Sequence, residues 1–195
     1  MTLAALMFLH DGFEEIEAIT PLDLLRRAGV AVTTAACGES LRVTGRSGIV
    51  IEADAHLADL AADARFALLV VPGGPAVHQG LRGNGEVRSR LQQQAAAGGW
   101  IGAICAGPLV LLDAGLLTGK RFTAHFSALA ELGEPCRGEV VTDGCLITSQ
   151  GAGTAVPFGL AMITALCGAA TADDVARSIC WPTPGAPSQS QDHVG

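Results

Sequence analysis

The chain has 195 residues and a mass of 19.8 kDa, which is the size of one domain and leaves no room for two well-developed ones. Hydrophobic residues make up 49% of the chain and charged residues 16%, so a disordered polypeptide is excluded and a substantial core is expected. Twelve Lys and Arg against nineteen Asp and Glu give a net charge of −7. This charge repels phosphate backbones and argues against a nucleic-acid partner.

The cysteines and the N-terminus bear on metal content and cellular location. None of the six cysteines forms a C-x-x-C pair or a Cys/His spacing of the kind that builds a zinc site, so no metal is predicted. No basic segment precedes the short apolar run at the N-terminus, unlike in a signal peptide. The uncharged stretch 145–172 is interrupted by glycines and Pro157, which argues against a membrane span. These features predict a cytoplasmic protein with reduced thiols.

Apolar runs of strand length alternate along the chain with longer segments of helical period. In the first half the pattern predicts a strand over 3–9, a helix over 14–28 that stops at Gly29, a strand over 30–36, a hairpin over 41–53 and a strand over 66–71. In the second half it predicts a helix over 84–97, a strand over 100–104, a helix starting just after Cys105, a short strand over 121–124, a hairpin over 139–149 and a helix over 154–167.

Alternating strands and helices with apolar strands favour the α/β class, with a parallel sheet covered by helices on both faces. We therefore expect a single domain over residues 1–180. The last residues, 181–195, are rich in Pro, Ser and Gln, a composition that is typical of a flexible C-terminal tail.

In open α/β sheets, ligands bind outside the carboxyl ends of the strands, and Cys105 follows such an end. The sequence Ala103-Ile-Cys-Ala-Gly107 has small residues two positions before and two after the cysteine. A nucleophile on a sharp strand-to-helix turn needs this spacing, because larger side chains would collide across the turn. The N-terminus of the following helix is expected to lower the thiol pKa. The alternative is that Cys105 is a small buried hydrophobic residue.

Glu17 is the second candidate, because it lies where a surface acid is not expected. Helical spacing aligns it with Pro21, Leu24 and Ala28, so one carboxyl group interrupts an otherwise apolar face. A buried carboxyl has its pKa raised by loss of solvation and can stay protonated as a hydrogen-bond donor. The alternative is an ordinary acid at a helix start that happens to point inward.

Two further features lie at predicted strand ends. His125 follows the predicted strand 121–124 and could act as a base toward the thiol or a bound substrate. Gly73 and Gly74 allow the backbone to approach a ligand closely, and their N–H groups could form an oxyanion hole with that of Ala106. Taken alone, the glycines equally fit a loop that merely needs flexible residues.

Several motifs, in order, resemble the DJ-1/PfpI superfamily, nearest its DJ-1 and YajL branch. The matching segments are Gly12-Phe-Glu-Glu-Ile-Glu17 with Pro21 and Asp23, Leu25-Arg-Arg-Ala-Gly29, Val70-Val-Pro-Gly-Gly74, Ala103-Ile-Cys-Ala-Gly-Pro108, Thr123-Ala-His125 and Leu146-Ile-Thr-Ser-Gln-Gly-Ala-Gly-Thr154. The resemblance extends from Leu3 to about Ile179. It implies a flavodoxin-like three-layer sandwich with a mainly parallel central sheet and a nucleophile elbow, and it implies a homodimer.

The resemblance also assigns roles to individual residues. Cys105 would be the reactive thiol, Glu17 a protonated acid that hydrogen-bonds the sulfur, and His125 the nearby histidine. Asp23 matches an acid that lies across the dimer interface, close to that histidine. The chain departs from the family pattern at Phe126 and Ala152, where prolines are common, and it has Gly45 and Glu52 where animal members carry peripheral cysteines.

The activity that the resemblance implies is a glyoxalase or deglycase reaction, in which Cys105 attacks a reactive dicarbonyl such as methylglyoxal or glyoxal, or its adduct on a protein or nucleotide. Glu17 and His125 would move protons, and the thiol chemistry needs no cofactor. The main alternative is a redox sensor or chaperone in which Cys105 is oxidised to a sulfinate. A cysteine peptidase or an amidotransferase-like hydrolase is a further alternative, although the chain lacks the late His-x-Glu pair of amidotransferases.

Overall fold

The computed structural model describes residues 3–182. Its strands are β1 (Ala4–Leu9), β2 (Ala31–Ala36), β3 (Arg42–Thr44), β4 (Val50–Glu52), β5 (Ala55–His56), β6 (Leu68–Val71), β7 (Trp100–Ile104), β8 (Val140–Asp143) and β9 (Leu146–Ser149). Its α-helices are α1 (Glu15–Arg27), α2 (Gly85–Ala96), α3 (Pro108–Asp113), α4 (Leu129–Leu132), α5 (Ala155–Cys167) and α6 (Ala169–Ser178). Single 3₁₀ turns lie at Leu57–Asp59, Phe126–Ala128 and Ala152–Thr154, and a π-helical turn covers Val77–Leu81.

Seven strands form one sheet in the order β5-β2-β1-β6-β7-β9-β8. All neighbours pair in parallel except β8 and β9, which form an antiparallel hairpin at the edge. The central strands are apolar along their whole length, and every residue of β6 is buried. This is expected of parallel strands that are covered on both faces. β3 and β4 form a separate antiparallel hairpin.

Helices cover the sheet in two groups. One group consists of α1, α5 and α6, which pack on one another and on the sheet through α1 and α5. The other consists of α2, α3 and α4, which reach the sheet through β7. The hydrophobic core lies between these helices and the sheet. The arrangement confirms the predicted α/β class with a mainly parallel sheet between helical layers.

Most predicted elements lie within two residues of their observed bounds, including both hairpins and the helix that ends ahead of Gly29, whose φ is +80°. The predicted strand over 121–124 is wrong, because the segment carries no strand. The side of β9 away from β7 is already paired with β8, so this segment cannot join the sheet beside β9. Isolated hydrogen bonds hold the segment instead, such as the one from the Thr123 N–H to Thr148 Oγ1 at 2.9 Å.

Helix α6, strand β5 and the π-helical turn were not anticipated from the sequence. Of the predicted tail, Trp181 and Pro182 carry no helix or strand, and residues 183–195 lie outside the described residues. Within residues 3–182, no helix has the length and apolar character needed to cross a membrane.

Candidate functional site: an acid and thiol pair at the sheet edge

Cys105 lies in a sharp turn between strand β7 and helix α3. Its φ is +63°, a left-handed value that L-residues other than Gly rarely adopt. A side chain at Gly107 would place a Cβ 2.6 Å from the Val71 carbonyl oxygen, so the turn can close only over a glycine. The strand-to-helix turn that the small-residue spacing predicted is therefore present, and it presents the half-buried Cys105 side chain at the carboxyl end of β7.

Helix α1 places Glu17 against this cysteine. The side chain of Glu17 is only 1% exposed, and Pro21 and Leu24 are buried with it on the predicted face of the helix. The Gly73 N–H donates to Glu17 Oε2 at 3.0 Å. The carboxyl group and the Cys105 side chain lie on either side of Gly73, close enough for each to shift the pKa of the other. The strand ends and the helix thus bring a buried acid and a half-buried thiol together.

The two glycines after β6 are required by the packing of this pair. A Cβ at Gly73 would lie 2.5 Å from Glu17 Oε2 and 2.6 Å from Cys105 Cβ. Gly74 has φ +89°, and a Cβ there would lie 2.5 Å from the Gly12 carbonyl oxygen. The N–H of Gly73 is committed to Glu17, whereas the backbone groups of Gly74 and Ala106 act on the Cys105 thiol and lower its pKa. Gly73 therefore positions the acid, and Gly74 and Ala106 are the candidate oxyanion donors.

Burial shifts the proton affinity of both members of the pair. Loss of solvation raises the pKa of Glu17 from 4.5 to about 7, although the bonds from Cys105 and Gly73 act in the opposite direction. Burial and the adjacent Glu17 carboxylate raise the pKa of the Cys105 thiol to about 12, against the opposing N–H groups of Gly74 and Ala106. The expected lowering of the thiol pKa by the helix N-terminus is therefore wrong, because burial outweighs the effect of the nearby N–H groups.

His125 reaches the same cavity from an irregular segment rather than from a strand end. Its N–H donates to the Cys105 carbonyl oxygen at 3.0 Å, which fixes its backbone beside the elbow. Its side chain caps the turn Phe126–Ala128, where Nδ1 lies 2.8 Å from Ser127 Oγ and accepts the Ser127 N–H at 3.3 Å. Nε2 is left as the nitrogen available to a substrate. The ring also stacks against exposed Phe126, with ring centroids 4.0 Å apart.

Cys105, Glu17 and His125 all line one open cavity of about 480 Å³. The other residues that line this cavity are Glu14, Arg46, Gly74, Pro75, His78, Gln79, Ala106, Ser127 and Ala152. The sequence did not point to Arg46, His78 or Gln79. Arg46 lies in the hairpin turn, and the other two lie in the π-helical turn. The only sequence feature that could have placed any of them in the cavity is the position of His78, four residues after Gly74, and this spacing alone does not predict a site residue.

The remaining acids of the Gly12–Glu17 motif have distinct positions. Glu14 is the N-cap of α1 and accepts the Glu17 N–H at 3.0 Å, and its charge helps to raise the pKa of Glu17. Glu15, which the sequence treats as an ordinary acid of the first turn, is only 7% exposed and accepts the Ser47 N–H of the hairpin. Asp23 does not line the cavity. It pairs with Arg27 at 2.7 Å on an exposed part of α1.

Between residues 3 and 182, no three His, Cys, Asp or Glu side chains are placed together to hold a metal ion.

Known proteins share both the sequence pattern and the fold. The DJ-1/PfpI family profile matches residues 4–165. Protein dj-1beta of Drosophila melanogaster is 37% identical over 183 residues, covering 92% of this chain and 97% of the relative. The crystal structure of Drosophila DJ-1beta superposes with a TM-score of 0.89 at 35% identity, covering 94% of this chain and all of that one.

Two further relatives carry names that bear on chemistry. Glutathione-independent glyoxalase DJR-1.2 of Caenorhabditis elegans is 33% identical over 182 residues, covering 91% of this chain and 95% of the relative. The structure of oxidized Toxoplasma gondii DJ-1 superposes with a TM-score of 0.87 at 27% identity, covering 93% of this chain and all of that one. The family profile and these identities over nearly the whole length confirm the resemblance seen in the sequence: the chain belongs to the DJ-1/PfpI family and has its flavodoxin-like α/β fold.

Proposed function

We propose that this protein is a cofactor-independent glyoxalase or deglycase that acts on reactive dicarbonyls, or on their adducts, through Cys105. The observation that carries the proposal is the placement of the buried Glu17 carboxyl group beside the Cys105 thiol in the wall of an open cavity. An acid with a pKa near neutrality beside a nucleophile is typical of proton transfer in catalysis. The glyoxalase name of the Caenorhabditis elegans relative supports the same reaction class.

The first step is attack of Cys105 Sγ on the aldehyde carbon of methylglyoxal. A sulfur–carbon bond forms, the carbonyl π bond breaks, and the thiol proton passes to Glu17 when that residue is a carboxylate. The N–H groups of Gly74 and Ala106, which act on the Cys105 thiol, stabilise the oxygen as it becomes negative. Return of the proton to this oxygen gives a neutral hemithioacetal.

The second step moves hydrogen from the aldehyde carbon to the neighbouring ketone carbon. A base removes the C–H proton to give an enediol, and reprotonation of the adjacent carbon gives a thioester, so the aldehyde carbon is oxidised and the ketone carbon reduced. Glu17 and His125 both line this space and are the groups proposed to carry the protons. Water then hydrolyses the thioester to lactate and regenerates the thiol, so methylglyoxal and one water yield lactic acid. Glyoxal gives glycolate by the same route.

The proposal is tested by dicarbonyl consumption in three variants. Cys105→Ser and Glu17→Ala should each abolish turnover of methylglyoxal, because one removes the nucleophile and the other removes the acceptor of its proton. Cys145→Ser is the matched control, since the Cys145 thiol donates to the Gly98 carbonyl oxygen at 3.1 Å, a bond that a serine hydroxyl can also make. Activity that survives in either site variant, with lactate still formed, would contradict the mechanism.

A homodimer is also proposed, on the evidence of one apolar patch. Ile16 and Ile19 on α1 and Ile49 and Val50 on the hairpin are all exposed, with 38% to 57% of each residue accessible. Neighbouring Glu15 has a buried Oε2 without a hydrogen-bond partner among residues 3–182. A second copy would cover the apolar surface and could supply the missing donor. Analytical ultracentrifugation should show a dimer that Ile49→Asp dissociates, and a monomeric wild type would contradict this.

Oxidation sensing at the same thiol is the second candidate, and the oxidized structure of the Toxoplasma gondii relative favours it. Mild peroxide should then add two oxygens to Cys105, which faces the open cavity. Mass spectrometry of the six cysteines checks this, and oxidation spread evenly among them would count against a sensor. All six cysteines are free, which fits a reducing compartment, so a cytoplasmic location is part of the proposal.

A further inference from the structure

Three separate segments carry the walls of the cavity. The π-helical turn Val77–Leu81 supplies His78 and Gln79, the turn ahead of α3 supplies Cys105, and the segment ahead of α4 supplies His125. Each segment continues away from the cavity into a short or irregular element. Their relative positions set the distance between the thiol and the imidazole.

One guanidinium group joins the far ends of all three segments. Arg82 directly follows the π-helical turn, and its Nε and Nη2 donate to the two carboxylate oxygens of Asp113, the last residue of α3, at 2.7 and 2.8 Å. Its Nη1 lies 3.0 and 2.8 Å from the two carboxylate oxygens of Glu131 in α4. The Arg82 and Asp113 side chains are about three-quarters buried, at 22% and 25% exposure, so solvent screens the pair less than at the open surface.

The α4 segment depends on this contact more than the other two segments do. Helix α4 has only four residues, none of them buried, and it is preceded by a single 3₁₀ turn. Residues 121–139 contain no strand. Leu129 and Leu132 of α4 are partly buried against the core, and Glu131–Arg82 is the one ion pair that α4 makes within the described chain. A four-residue helix is too short to hold its own position without such contacts.

We propose that Arg82 is a positioning residue, which holds the His125 segment at a fixed distance from Cys105 through Glu131 while it anchors itself on α3 through Asp113. The inference rests on the proposed function, because it assigns to this ion-pair cluster the placement of the imidazole for proton transfer. Arg82 touches neither the thiol nor the cavity. Loss of the Glu131 arm frees the α4 end of the His125 segment, so the imidazole can shift although the His125 N–H still bonds the Cys105 carbonyl oxygen. The Glu17–Cys105 pair stays in place, since it is held by α1, β6 and β7.

The experiment compares Glu131→Gln and Arg82→Lys with the wild type. Glu131→Gln removes one charge from a half-exposed side chain and should not impair folding, and Arg82→Lys keeps the charge but loses the planar fork. Both should lower kcat for methylglyoxal by about tenfold with KM nearly unchanged, because a displaced base loses proton transfer rather than binding. The rate of Cys105 alkylation by iodoacetamide should stay within twofold of wild type.

The readout that does not depend on turnover is the NMR spectrum of the His125 imidazole, assigned with a His125→Gln variant. Its ring nitrogen shifts should change in Glu131→Gln and not in the control Glu86→Gln, which breaks a similar pair with Arg90 at 2.8 Å. Imidazole shifts equal to those of wild type, or an equal change in the control, would overturn the inference. If the wild type turns over no dicarbonyl but the imidazole shifts change as expected, the proposed function fails and the positioning role stands.

Discussion

The two sides of the cavity are built in different ways. On one side, Glu17 and Cys105 are held by a helix and two strand ends. Both side chains lie against Gly73, where any larger residue would collide with them. On the other side, His125 lies on an irregular segment and is placed by single hydrogen bonds and the distant Arg82 cluster. The acid and thiol are thus fixed by packing, while the histidine is fixed by directional polar contacts. Perturbations of packing should damage the first side most, and charge substitutions the second.

The largest effect is expected from Gly73→Ala. The new Cβ would lie 2.5 Å from Glu17 Oε2 and 2.6 Å from Cys105 Cβ, so either the acid or the elbow must move. We expect a loss of about 1–3 kcal/mol in the free energy of unfolding from the overpacked site. Cys105 alkylation should slow by about a hundredfold, because small displacements of a reacting group are costly.

Gly83→Ala is the control for this prediction. Gly83 has open space around its Cβ position and no positive φ, so the substitution should leave alkylation unchanged. A Gly73→Ala protein with a normal alkylation rate would show that the packed side of the cavity can relax, and the contrast between the two sides would be lost.

The pH dependence of stability should report the buried acid. The pKa of Glu17 is about 7 in the folded protein against an ordinary value of 4.5, so the folded state binds this proton more tightly than the unfolded chain. The resulting stabilisation is fully present below pH 4.5 and is lost as the pH rises to about 7. The pKa difference corresponds to a loss of about 3 kcal/mol across this window.

Urea unfolding of wild type and of Glu17→Gln between pH 4.5 and pH 8 measures this effect. Gln cannot titrate, so the stability of the variant relative to wild type should rise by that amount over the window. Curves that stay parallel would mean that Glu17 ionises as easily in the folded protein as in the unfolded chain.

The sequence was a good guide to the packed side of the cavity, and the physical reason is local. The acid on the apolar face of α1 and the small residues around Cys105 are patterns that can be read within a few positions of each other. Gly73 was correctly predicted to lie at the site, but it was expected to be an oxyanion donor. The structure shows instead that its N–H donates to Glu17.

The sequence was a poor guide to the other side, where the determinants are long-range. The segment ahead of His125 has the apolar character of a strand, but β8 occupies the edge that it would need. The contacts of Arg82 with Asp113 and Glu131 span 31 and 49 residues, which no local pattern predicts. Glu15 is similar, because its burial depends on the hairpin turn at Ser47.

The smallest effect is expected from Asp23→Asn, and it separates a surface ion pair from a contact with a second copy. Asp23 and Arg27 are about half-exposed, so their pairing in one chain should contribute no more than about 0.5 kcal/mol to stability. If Asp23 reaches the His125 wall of a partner subunit, the variant should keep its melting temperature within 2 or 3 °C and yet lose several-fold in kcat for methylglyoxal. The matched variant Arg27→Gln breaks the same pair without removing the acid, so it should keep its kcat. Equal kcat in both variants would leave Asp23 as a helix-surface residue and place the whole histidine wall within a single chain.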